Sequence, residues 1–377
     1  MKPLRITFLL PGSGHLPTGG TKVVYEYANH LSRRGHRVSV IHPALNAAAS
    51  TPFQKARGTL AFVQRSVTRS FCPQSWFGIE SRVRMLWVPT LSSRFIPDGD
   101  VVLATAWATA EWIAEYPASK GDKYYLIQSW ETWDGPEDRV RATWTAPLKK
   151  IVIARWLRDI ADELGVECSY IPNGIDSGQY GLDKPIESRD PNHVMMLYHS
   201  HPVKGSADGL AALSLVAKEV SNLQVTLFGI SVPDTPLPRW VRYCRLPRQS
   251  DLRKWYNQAS IFISPSHTEG WPLPPAEAML CGAALVATDI GGHREYAVHE
   301  KTALLSPAKE PEKLAENVLR LMRHPELRTK IAHQGHECIR QCSWIKAVDA
   351  FDTILNSYRL NNCWRRDSVL CPVNDVN

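Results

Sequence analysis

The chain has 377 residues, of which 44% are hydrophobic and 21% are charged, and this composition is typical of a globular protein large enough for two domains. No apolar run approaches the roughly eighteen residues that a membrane-spanning helix needs. The net charge of +7 comes without a nucleic-acid recognition motif, which argues against a nucleic-acid partner.

The first half of the sequence alternates between strand-like and helix-like segments. Apolar runs predict strands at residues 5–10, 37–42, 100–105, 123–128 and 150–154, and a helical pattern over residues 23–35 joins the first two. Continuous apolar runs indicate strands buried on both faces, and therefore a parallel sheet. The apolar core of the first run is short, which favours a buried strand over a signal peptide.

The alternation starts afresh after the turn-rich stretch IPNGID at residues 171–176. Further strands are predicted at 193–198, 223–229, 260–266 and 283–289, with helices at 207–220, at 250–258 and after Pro275. We therefore predict an α/β protein with two doubly wound, Rossmann-like parallel-sheet domains, residues 1–172 and 173–342, facing a cleft. An amphipathic helix within residues 343–362 is expected to pack back across the hinge, and residues 363–377 to form a loose tail.

Positive charge is concentrated in residues 54–94. This stretch has one acidic residue, Glu80, and seven basic ones: Lys55, Arg57, Arg65, Arg69, Arg82, Arg84 and Arg94. Such a patch suits an anionic partner such as a phosphate, an acidic glycan or a membrane surface, and it equally suits a solvated basic face. Both interpretations stay open at this stage.

The sequence offers no evident metal site. Eight scattered cysteines lack the ligand spacing of zinc sites, and Cys338 and Cys342 are expected to be a reduced pair on one helix face. Asp98 and Asp100 form a D-x-D pattern that can hold a metal, but the sequence Pro-Asp-Gly around them is typical of a turn. We therefore predict that no metal is bound.

Several loops that follow predicted strands carry residues suited to an anionic ligand. In open parallel sheets, ligands bind beyond the carboxyl ends of the strands. The loop GSGHLPTGG at residues 12–20 offers backbone N–H groups at Gly19 and Gly20, although Pro17 excludes a dinucleotide-binding fingerprint. HSHPVKG at 199–205 offers Lys204 to a phosphate. DIGGH at 289–293 supplies a second glycine pair, followed by Arg294; His293 and Arg294 either reach phosphate or shape the loop.

The stretch HTEGWPLPPAE at residues 267–277 contains two glutamates. Its prolines predict a stiff loop that holds Glu269 and a helix beginning near Pro275, with Glu277 in the first turn. A carboxylate accepts several hydrogen bonds and can hold two adjacent hydroxyls. One glutamate could hold a ribose and the other a transferred sugar, while Lys204 and backbone amides neutralise a diphosphate between them.

The sequence, over about residues 4–360, resembles family-four retaining glycosyltransferases of GT-B fold. The resemblance is most specific in SPSHTEGWPLPPAEAMLCGAALVATDIGG, which contains the E-x(7)-E motif. It implies that Glu269 contacts the donor sugar, that Lys204 is the phosphate-binding lysine, and that both are catalytic. Glu277 would bind the nucleotide ribose. The other donor-binding candidates are His199, Gly19, Gly20, Gly270, Trp271, Pro272 and Leu273.

The sequence also departs from the family pattern. His199 stands where the family usually has an arginine five positions before the lysine, so neutralisation of the diphosphate is expected to be weaker or supplied elsewhere. Residues 104–107, ending at Trp107, lack the histidine that family members often have after the matching strand. Gln128 and Glu131 form a Gln-x-x-Glu pattern similar to that of rhamnosyltransferase-like members. With Trp107 they are our candidates for the acceptor side.

The resemblance implies transfer of a sugar from a nucleotide-diphosphate donor to the hydroxyl of a sugar, a lipid-linked or a small-molecule acceptor, with no cofactor or metal. The first domain would hold the acceptor and the second the donor. We expect a cytoplasmic protein, with peripheral contact to an anionic inner membrane face left open. The alternatives are a sugar-nucleotide epimerase or phosphorylase on the same scaffold, and a non-catalytic glycan-binding protein. The donor base, the sugar and the acceptor are not predicted.

Overall fold

The computed structural model describes residues 3–45, 62–68, 70–73, 75–133, 135–233 and 236–357. The chain divides into two units: Gly174–Ser343 form the second, and the described residues before and after that range form the first. These borders lie beside the predicted ones at residues 172 and 342. The predicted tail at 363–377 lies outside the described residues.

The first unit is built on a sheet of seven strands in the order β3-β2-β1-β4-β5-β6-β7, in which every neighbouring pair is parallel. The strand order reverses beside β1, which lies between β2 and β4, as in a doubly wound fold. The strands are β1 Arg5–Leu9, β2 Arg37–Pro43, β3 Arg84–Val88, β4 Val101–Ala104, β5 Asp122–Ile127, β6 Lys149–Val152 and β7 Cys168–Tyr170.

Helices flank this sheet, and the last of them comes from the end of the described chain. They are Gly19–Arg33, Trp107–Ala114, Glu137–Thr145, Arg155–Glu163 and Trp344–Ser357, and residues 62–68 are also helical. In the last helix, the Phe351 ring stacks on Tyr27 with centroids 4.3 Å apart, and Asp352 pairs with His36 at 3.1 Å. The predicted C-terminal helix therefore packs on the first helix of the first unit.

The second unit has a parallel sheet of six strands in the order β10-β9-β8-β11-β12-β13. Its centre is an apolar core, in which Val194, Ile263 and Val286 on three neighbouring strands are fully buried. The strands are β8 His193–Leu197, β9 Gln224–Gly229, β10 Val241–Arg245, β11 Ile261–Ser264, β12 Ala284–Thr288 and β13 Ala303–Ser306. The helices are Ser206–Glu219, Gln249–Gln258, Leu273–Leu280, Pro311–Arg323 and Pro325–Ile339.

Two doubly wound parallel sheets thus confirm the predicted fold class. One local prediction is wrong: Cys338 and Cys342 do not share a helix face, because the helix ends at Ile339 before Cys342. The six cysteines within the described ranges are all free thiols. No helix among the described residues is long and apolar enough to cross a membrane.

Candidate functional site

The Lys204 turn follows β8 and is held against the loop after β11. Residues Pro202–Lys204 form a single 3₁₀ turn that ends at Gly205, whose φ of 61° lies in the left-handed region. A Cβ on Gly205 would lie only 2.0 Å from the Pro265 carbonyl oxygen. Glycine is therefore needed here both for the backbone conformation and for the close approach of the two loops.

Lys204 and Glu269, the two predicted catalytic residues, form a direct ion pair in the second unit. The Lys204 ammonium Nζ lies 2.8 Å from both carboxylate oxygens of Glu269, and the Ser266 hydroxyl donates to Oε1 at 2.9 Å. The Lys204 side chain is 30% exposed and that of Glu269 is 13% exposed, so a ligand can reach the pair while solvent screens it only in part. The structure thus brings a cation and a hydrogen-bond acceptor together at the ends of two neighbouring strands.

Two further contacts fix the loop that carries Glu269. His267 Nε2 lies 2.6 Å from the Asp208 carboxylate, and the His267 backbone N–H donates to the Val203 carbonyl at 2.8 Å. A Cβ on Gly292 would lie 2.5 Å from the Glu269 carbonyl oxygen, so the glycine pair after β12 allows close packing against this loop. Sequence reasoning missed the roles of His267 and Asp208, because nothing in their spacing of 59 residues signals a contact.

The helix that carries Glu277 begins earlier than predicted. It spans Leu273–Leu280, so Glu277 is its fifth residue and lies in the second turn, and the prediction of a first-turn glutamate is wrong. Pro274 and Pro275 occupy positions in the first turn, where backbone N–H groups have no partner within the helix. Proline is therefore compatible with the helix start, and the stiff loop is shorter than predicted.

Glu277 is buried, with 5% of the residue exposed, and two tyrosines contact its carboxylate. Tyr256 donates its hydroxyl to Oε2 at 3.2 Å, and Tyr180 also hydrogen-bonds to Glu277. Burial, and after it the charge of Glu277, raises the pKa of both tyrosines, so their hydroxyls keep their protons and act as donors. A carboxylate has about four acceptor positions, and the two tyrosine hydroxyls occupy two of those of Glu277.

The residues between the two glutamates are buried and closely packed. Gly270, Trp271, Pro272 and Leu273, all predicted as donor-binding residues, are buried. The Trp271 ring meets Tyr296 edge-on with centroids 5.0 Å apart, and the Tyr296 hydroxyl donates to the Pro272 carbonyl at 2.8 Å. These contacts position the backbone between Glu269 and Glu277, and direct contact with a donor stays a prediction.

His199 lies beside the Lys204 turn, as its place in the sequence suggests. Its backbone N–H donates to Ser206 Oγ at 2.9 Å, and its ring Nδ1 accepts from the His201 N–H at 2.9 Å. Nδ1 is thereby an acceptor, which leaves the proton of the neutral ring on Nε2. Burial, helped by the charges of Lys204 and His201, lowers the pKa of His199 below its usual 6.5. Without a ligand the ring is therefore neutral at pH 7.

His293 and Arg294, which sequence reasoning left between phosphate binding and a structural role, have structural contacts. His293 is fully buried between the Ser264 hydroxyl, 2.7 Å from Nε2, and the Thr288 carbonyl, 2.7 Å from Nδ1. Since a carbonyl can only accept, Nδ1 carries the proton and Nε2 accepts from Ser264. Arg294 forms a two-point pair with Asp289 at 2.6 and 2.9 Å.

In the first unit, the glycine loop and Gln128 lie together. The helix that begins at Gly19 is capped by Thr18, whose hydroxyl accepts from the Thr21 N–H at 3.4 Å. A Cβ on Gly20 would lie 3.3 Å from Gln128 Nε2, and this amide donates to the Thr105 carbonyl at 3.3 Å. Gly20 therefore leaves room for the Gln128 side chain at the start of the helix.

Glu131 and Trp107, the other acceptor-side candidates, contact each other. The Glu131 carboxylate accepts from the Trp107 backbone N–H at 2.6 Å and so caps the helix that begins there. Trp107 is 2% exposed, and the Arg139 guanidinium lies 4.8 Å from its ring centroid. The ring is therefore enclosed by protein, and a role of Trp107 on the acceptor side stays a prediction.

Asp98 and Asp100 each face a cation of the protein. Asp98 accepts from Lys120 Nζ at 2.7 Å, and Asp100 accepts from the Arg5 backbone N–H at 2.8 Å and pairs with its guanidinium at 3.4 Å. The backbone at residues 97–99 forms no turn, so the predicted Pro-Asp-Gly turn is not found.

Comparison with known proteins finds a family match. Residues 184–337 match the family described as glycosyl transferases group 1. The match lies within the second unit. The matched range includes Lys204, Glu269 and Glu277, so the predicted family resemblance is confirmed.

Curated relatives match over short segments. The chain is 34% identical over 92 residues to a D-inositol 3-phosphate glycosyltransferase of Frankia alni, which covers 24% of this chain and 23% of the relative. It is 32% identical over 90 residues to the lipopolysaccharide core biosynthesis mannosyltransferase LpcC of Rhizobium leguminosarum bv. viciae. This match covers 24% of this chain and 25% of LpcC. The matched segments thus span about a quarter of these relatives' own lengths.

Solved structures match over almost the whole chain. The Anabaena HepE protein, solved in complex with UDP-glucose, has a TM-score of 0.72 at 16% identity, covering 94% of this chain and 100% of HepE. Sucrose-phosphate synthase of Thermosynechococcus elongatus has a TM-score of 0.70 at 14% identity, and the match covers 94% of this chain and 99% of the synthase. At these identities the likeness concerns the fold.

Proposed function

We propose that this protein is a glycosyltransferase that moves a sugar from a nucleotide-diphosphate donor to an acceptor hydroxyl with retention of configuration. The observation that carries the proposal is the Lys204–Glu269 pair, in which a cation and a carboxylate meet at the ends of β8 and β11. The lysine cation suits a diphosphate, and the glutamate carboxylate can accept hydrogen bonds from the hydroxyls of a sugar. The family match within the second unit supports the same function.

The donor would engage the two glutamates differently. Glu269 is partly exposed and would accept hydrogen bonds from the hydroxyls of the transferred sugar, while Lys204 turns towards the diphosphate. Glu277 is more deeply buried and would accept hydrogen bonds from the ribose diol. The complex of HepE with UDP-glucose makes uridine diphosphate sugars the first donors to test.

The reaction would need orientation and charge stabilisation rather than a protein nucleophile. The bond between the sugar carbon and the phosphate oxygen breaks with oxocarbenium character. The acceptor hydroxyl attacks from the same face and passes its proton to the leaving phosphate oxygen. Lys204 stabilises the negative charge that develops on the diphosphate, and Glu269 holds the sugar in place. We propose that no metal is required for these steps.

The acceptor would bind to the first unit. Of the three acceptor-side candidates, Trp107 is buried and Glu131 caps a helix. Gln128, beside the helix that begins at Gly19, is partly exposed and is our first candidate. We propose a sugar, a lipid-linked or a small-molecule hydroxyl as the acceptor. The relatives act on an inositol phosphate and on a lipopolysaccharide core by name, which gives two acceptor classes for a first screen. The proposed setting is the cytoplasm, with peripheral membrane contact as a test of the lipid-linked class.

A ligand screen followed by a transfer assay tests the proposal. Melting temperatures of the full chain are measured against nucleotide diphosphates and their sugars, because a ligand at about 100 times its Kd stabilises by about 2.7 kcal/mol. We expect one nucleotide to stabilise the parent and Lys313→Ala, but not Lys204→Ala. Lys313 is a suitable control because it forms an exposed pair with Glu316 at 2.9 Å.

The transfer assay separates the alternatives. A transferase releases free nucleotide diphosphate in proportion to glycosylated acceptor. Conversion of the donor without any acceptor would instead indicate an epimerase, and sugar phosphate formed from inorganic phosphate would indicate a phosphorylase. If no nucleotide binds and an isolated glycan does, the protein is a glycan-binding scaffold and the proposal is wrong.

A further inference from the structure

A cavity of about 340 Å³ opens at the amino-terminal edge of the first unit's sheet. Its lining includes Arg5, Arg37 and Arg84, which are the first residues of β1, β2 and β3. The glycine loop at residues 12–20 follows the opposite, carboxyl-terminal end of β1. The cavity is therefore separate from the candidate donor and acceptor residues, and its volume is in the range of small-molecule sites.

The mouth of this cavity has an excess of positive charge. Arg37, Arg82 and Arg84 are exposed lining residues, and none of them forms an ion pair with any residue that the structure describes. The other charged groups nearby are already compensated. Arg5 pairs with Asp100 at 3.4 Å, and the lining carboxylate Asp98 accepts from Lys120 at 2.7 Å.

The remaining titratable lining residue, His36, faces Asp352 at 3.1 Å. Three guanidinium groups are thus left at the mouth without a counter-ion among the described residues. An anion that carries about two negative charges would offset most of this excess.

The interior of the cavity is lined by hydroxyl groups. Thr7 lies opposite Ser39 in the β1–β2 pairing, and Ser39 lies opposite Arg84 in the β2–β3 pairing, so these three side chains share one face of the sheet. Thr7 and Ser39 are 3% and 7% exposed, and each lies between two buried apolar residues of its strand. Polar residues in the middle of buried strands are unusual and call for a partner.

Ser32 provides an independent sign of a missing partner. It lines the cavity, is 2% exposed, and its Oγ makes no hydrogen bond within the described ranges. Buried hydroxyl groups almost always have a hydrogen-bond partner. A rotation about the Ser32 side-chain bond would let Oγ pair with a polar ligand in the cavity.

We propose that this cavity binds a phosphate monoester of a small polyhydroxyl molecule, as a site distinct from the donor site. The phosphate would lie among Arg37, Arg82 and Arg84, because the planar guanidinium group matches phosphate oxygens with two parallel hydrogen bonds. The hydroxyl groups of the ligand would face Ser32 and Ser39. This assignment gives Arg82 and Arg84, from the basic stretch at residues 54–94, a specific partner.

The first experiment measures binding of glucose 6-phosphate and of inorganic phosphate to the full chain by calorimetry. We expect saturable binding of glucose 6-phosphate to the parent, tighter than that of inorganic phosphate. The double variant Arg37→Gln/Arg84→Gln should weaken it by about tenfold or more, since two charged hydrogen-bonding groups are lost. Ser32→Ala should weaken the sugar phosphate more than inorganic phosphate. Arg141→Gln removes an exposed arginine from the helix Glu137–Thr145 and should change nothing.

Two comparisons make the result decisive. Lys204→Ala must keep glucose 6-phosphate binding, because Lys204 does not line the cavity, and this holds whether or not the proposed function is correct. Binding that is lost in Lys204→Ala and kept in the Arg37→Gln/Arg84→Gln variant overturns the proposal. So does an equal loss in Arg141→Gln, which would indicate unspecific attraction to a basic surface.

The same chemistry could be presented by a lipid headgroup, and a vesicle arm distinguishes the source. Phosphatidylcholine vesicles with and without phosphatidic acid are sedimented with each variant. Binding that needs phosphatidic acid, Arg37 and Arg84, without any affinity for glucose 6-phosphate, assigns the cavity to a lipid phosphate. Absence of binding in both arms, with melting temperatures showing that all variants are folded, shows that there is no phosphate site.

Discussion

The substitution Glu269→Gln is the most direct perturbation of the candidate site. In the ligand-free structure Glu269 accepts two contacts from Lys204 at 2.8 Å and one from Ser266 at 2.9 Å. Glutamine keeps one acceptor oxygen but turns an amide NH₂ group towards the ammonium. A hydrogen bond to a charged group contributes about 1.5–3 kcal/mol. Solvent screening at a pair that is 30% and 13% exposed reduces this to about 1–2 kcal/mol of lost unfolding free energy.

The kinetic effect of Glu269→Gln should be larger than its effect on stability. If Glu269 orients the donor sugar, kcat should fall about a hundredfold, equivalent to about 2.7 kcal/mol. The Kd of the nucleotide diphosphate should stay the same or fall, because Lys204 remains and is freed from its pair.

The assays for this variant are urea unfolding, steady-state transfer and calorimetry with the nucleotide. Glu316→Gln is the matched control, since it breaks an exposed Lys–Glu pair of 2.9 Å in the same unit and should alter stability by about 0.5 kcal/mol or less. An unchanged kcat in Glu269→Gln, or a loss of nucleotide affinity as large as the loss of kcat, would refute the assignment to the sugar.

Four further outcomes are expected. Glu277→Gln should weaken nucleotide binding about tenfold with a smaller effect on kcat; the same pattern as in Glu269→Gln would contradict separate roles. Transfer should continue in excess EDTA, and a rate lost with EDTA and restored by Mn²⁺ or Mg²⁺ would show a metal requirement. The pKa of His199 lies below 6.5 in the free protein and should rise beside a bound diphosphate. The donor Kd of the parent, measured from pH 5.5 to 9, should therefore fall as the pH is lowered through the bound-state pKa and level off below the free-state pKa. The Kd of His199→Gln should not change with pH in this way, and that of His199→Arg should stay low at high pH. Parallel profiles of the parent and His199→Gln would exclude this role. Gly205→Ala should destabilise the chain by about 2 kcal/mol more than Gly165→Ala. Both glycines have a positive φ, 61° and 65°, but only at Gly205 would an added Cβ lie 2.0 Å from another atom. Equal urea midpoints of the two variants would disprove the steric argument.

The strands that the sequence predicted are the inner strands of both sheets. Each of these inner strands, from RITFL in β1 to ALVAT in β12, is an apolar run covered on two sides. The four strands that escaped prediction, β3, β7, β10 and β13, are the four sheet edges. Two of them have no continuous apolar pattern to detect, because β10 reads VRYCR and is partly exposed and β7 has three residues. The other two, β3 with RMLWV and β13 with ALLS, do contain short apolar runs, so their omission does not follow from the pattern.

The candidate site was predictable where it depends on strand ends and not where it depends on packing. Lys204 and Glu269 follow β8 and β11, which are neighbours in the sheet, so a contact between them follows from topology. The start of the helix at Leu273 was missed because proline was treated as a barrier rather than as a first-turn residue. The burial of Trp107 beneath Arg139 depends on distant residues, and no local pattern could reveal it.

The Lys204–Glu269 pair also links recognition of the diphosphate to recognition of the sugar. A bare nucleotide diphosphate that attracts Lys204 would leave the 13% exposed Glu269 carboxylate without its cation, and an uncompensated charge of low exposure is costly. An intact nucleotide sugar brings hydroxyl donors for that carboxylate together with the diphosphate that takes Lys204, so its binding replaces every contact that it breaks. Under the proposed function, the ligand-free pair therefore favours the donor over the nucleotide product, and the re-formation of the Lys204–Glu269 contacts after transfer promotes release of that product.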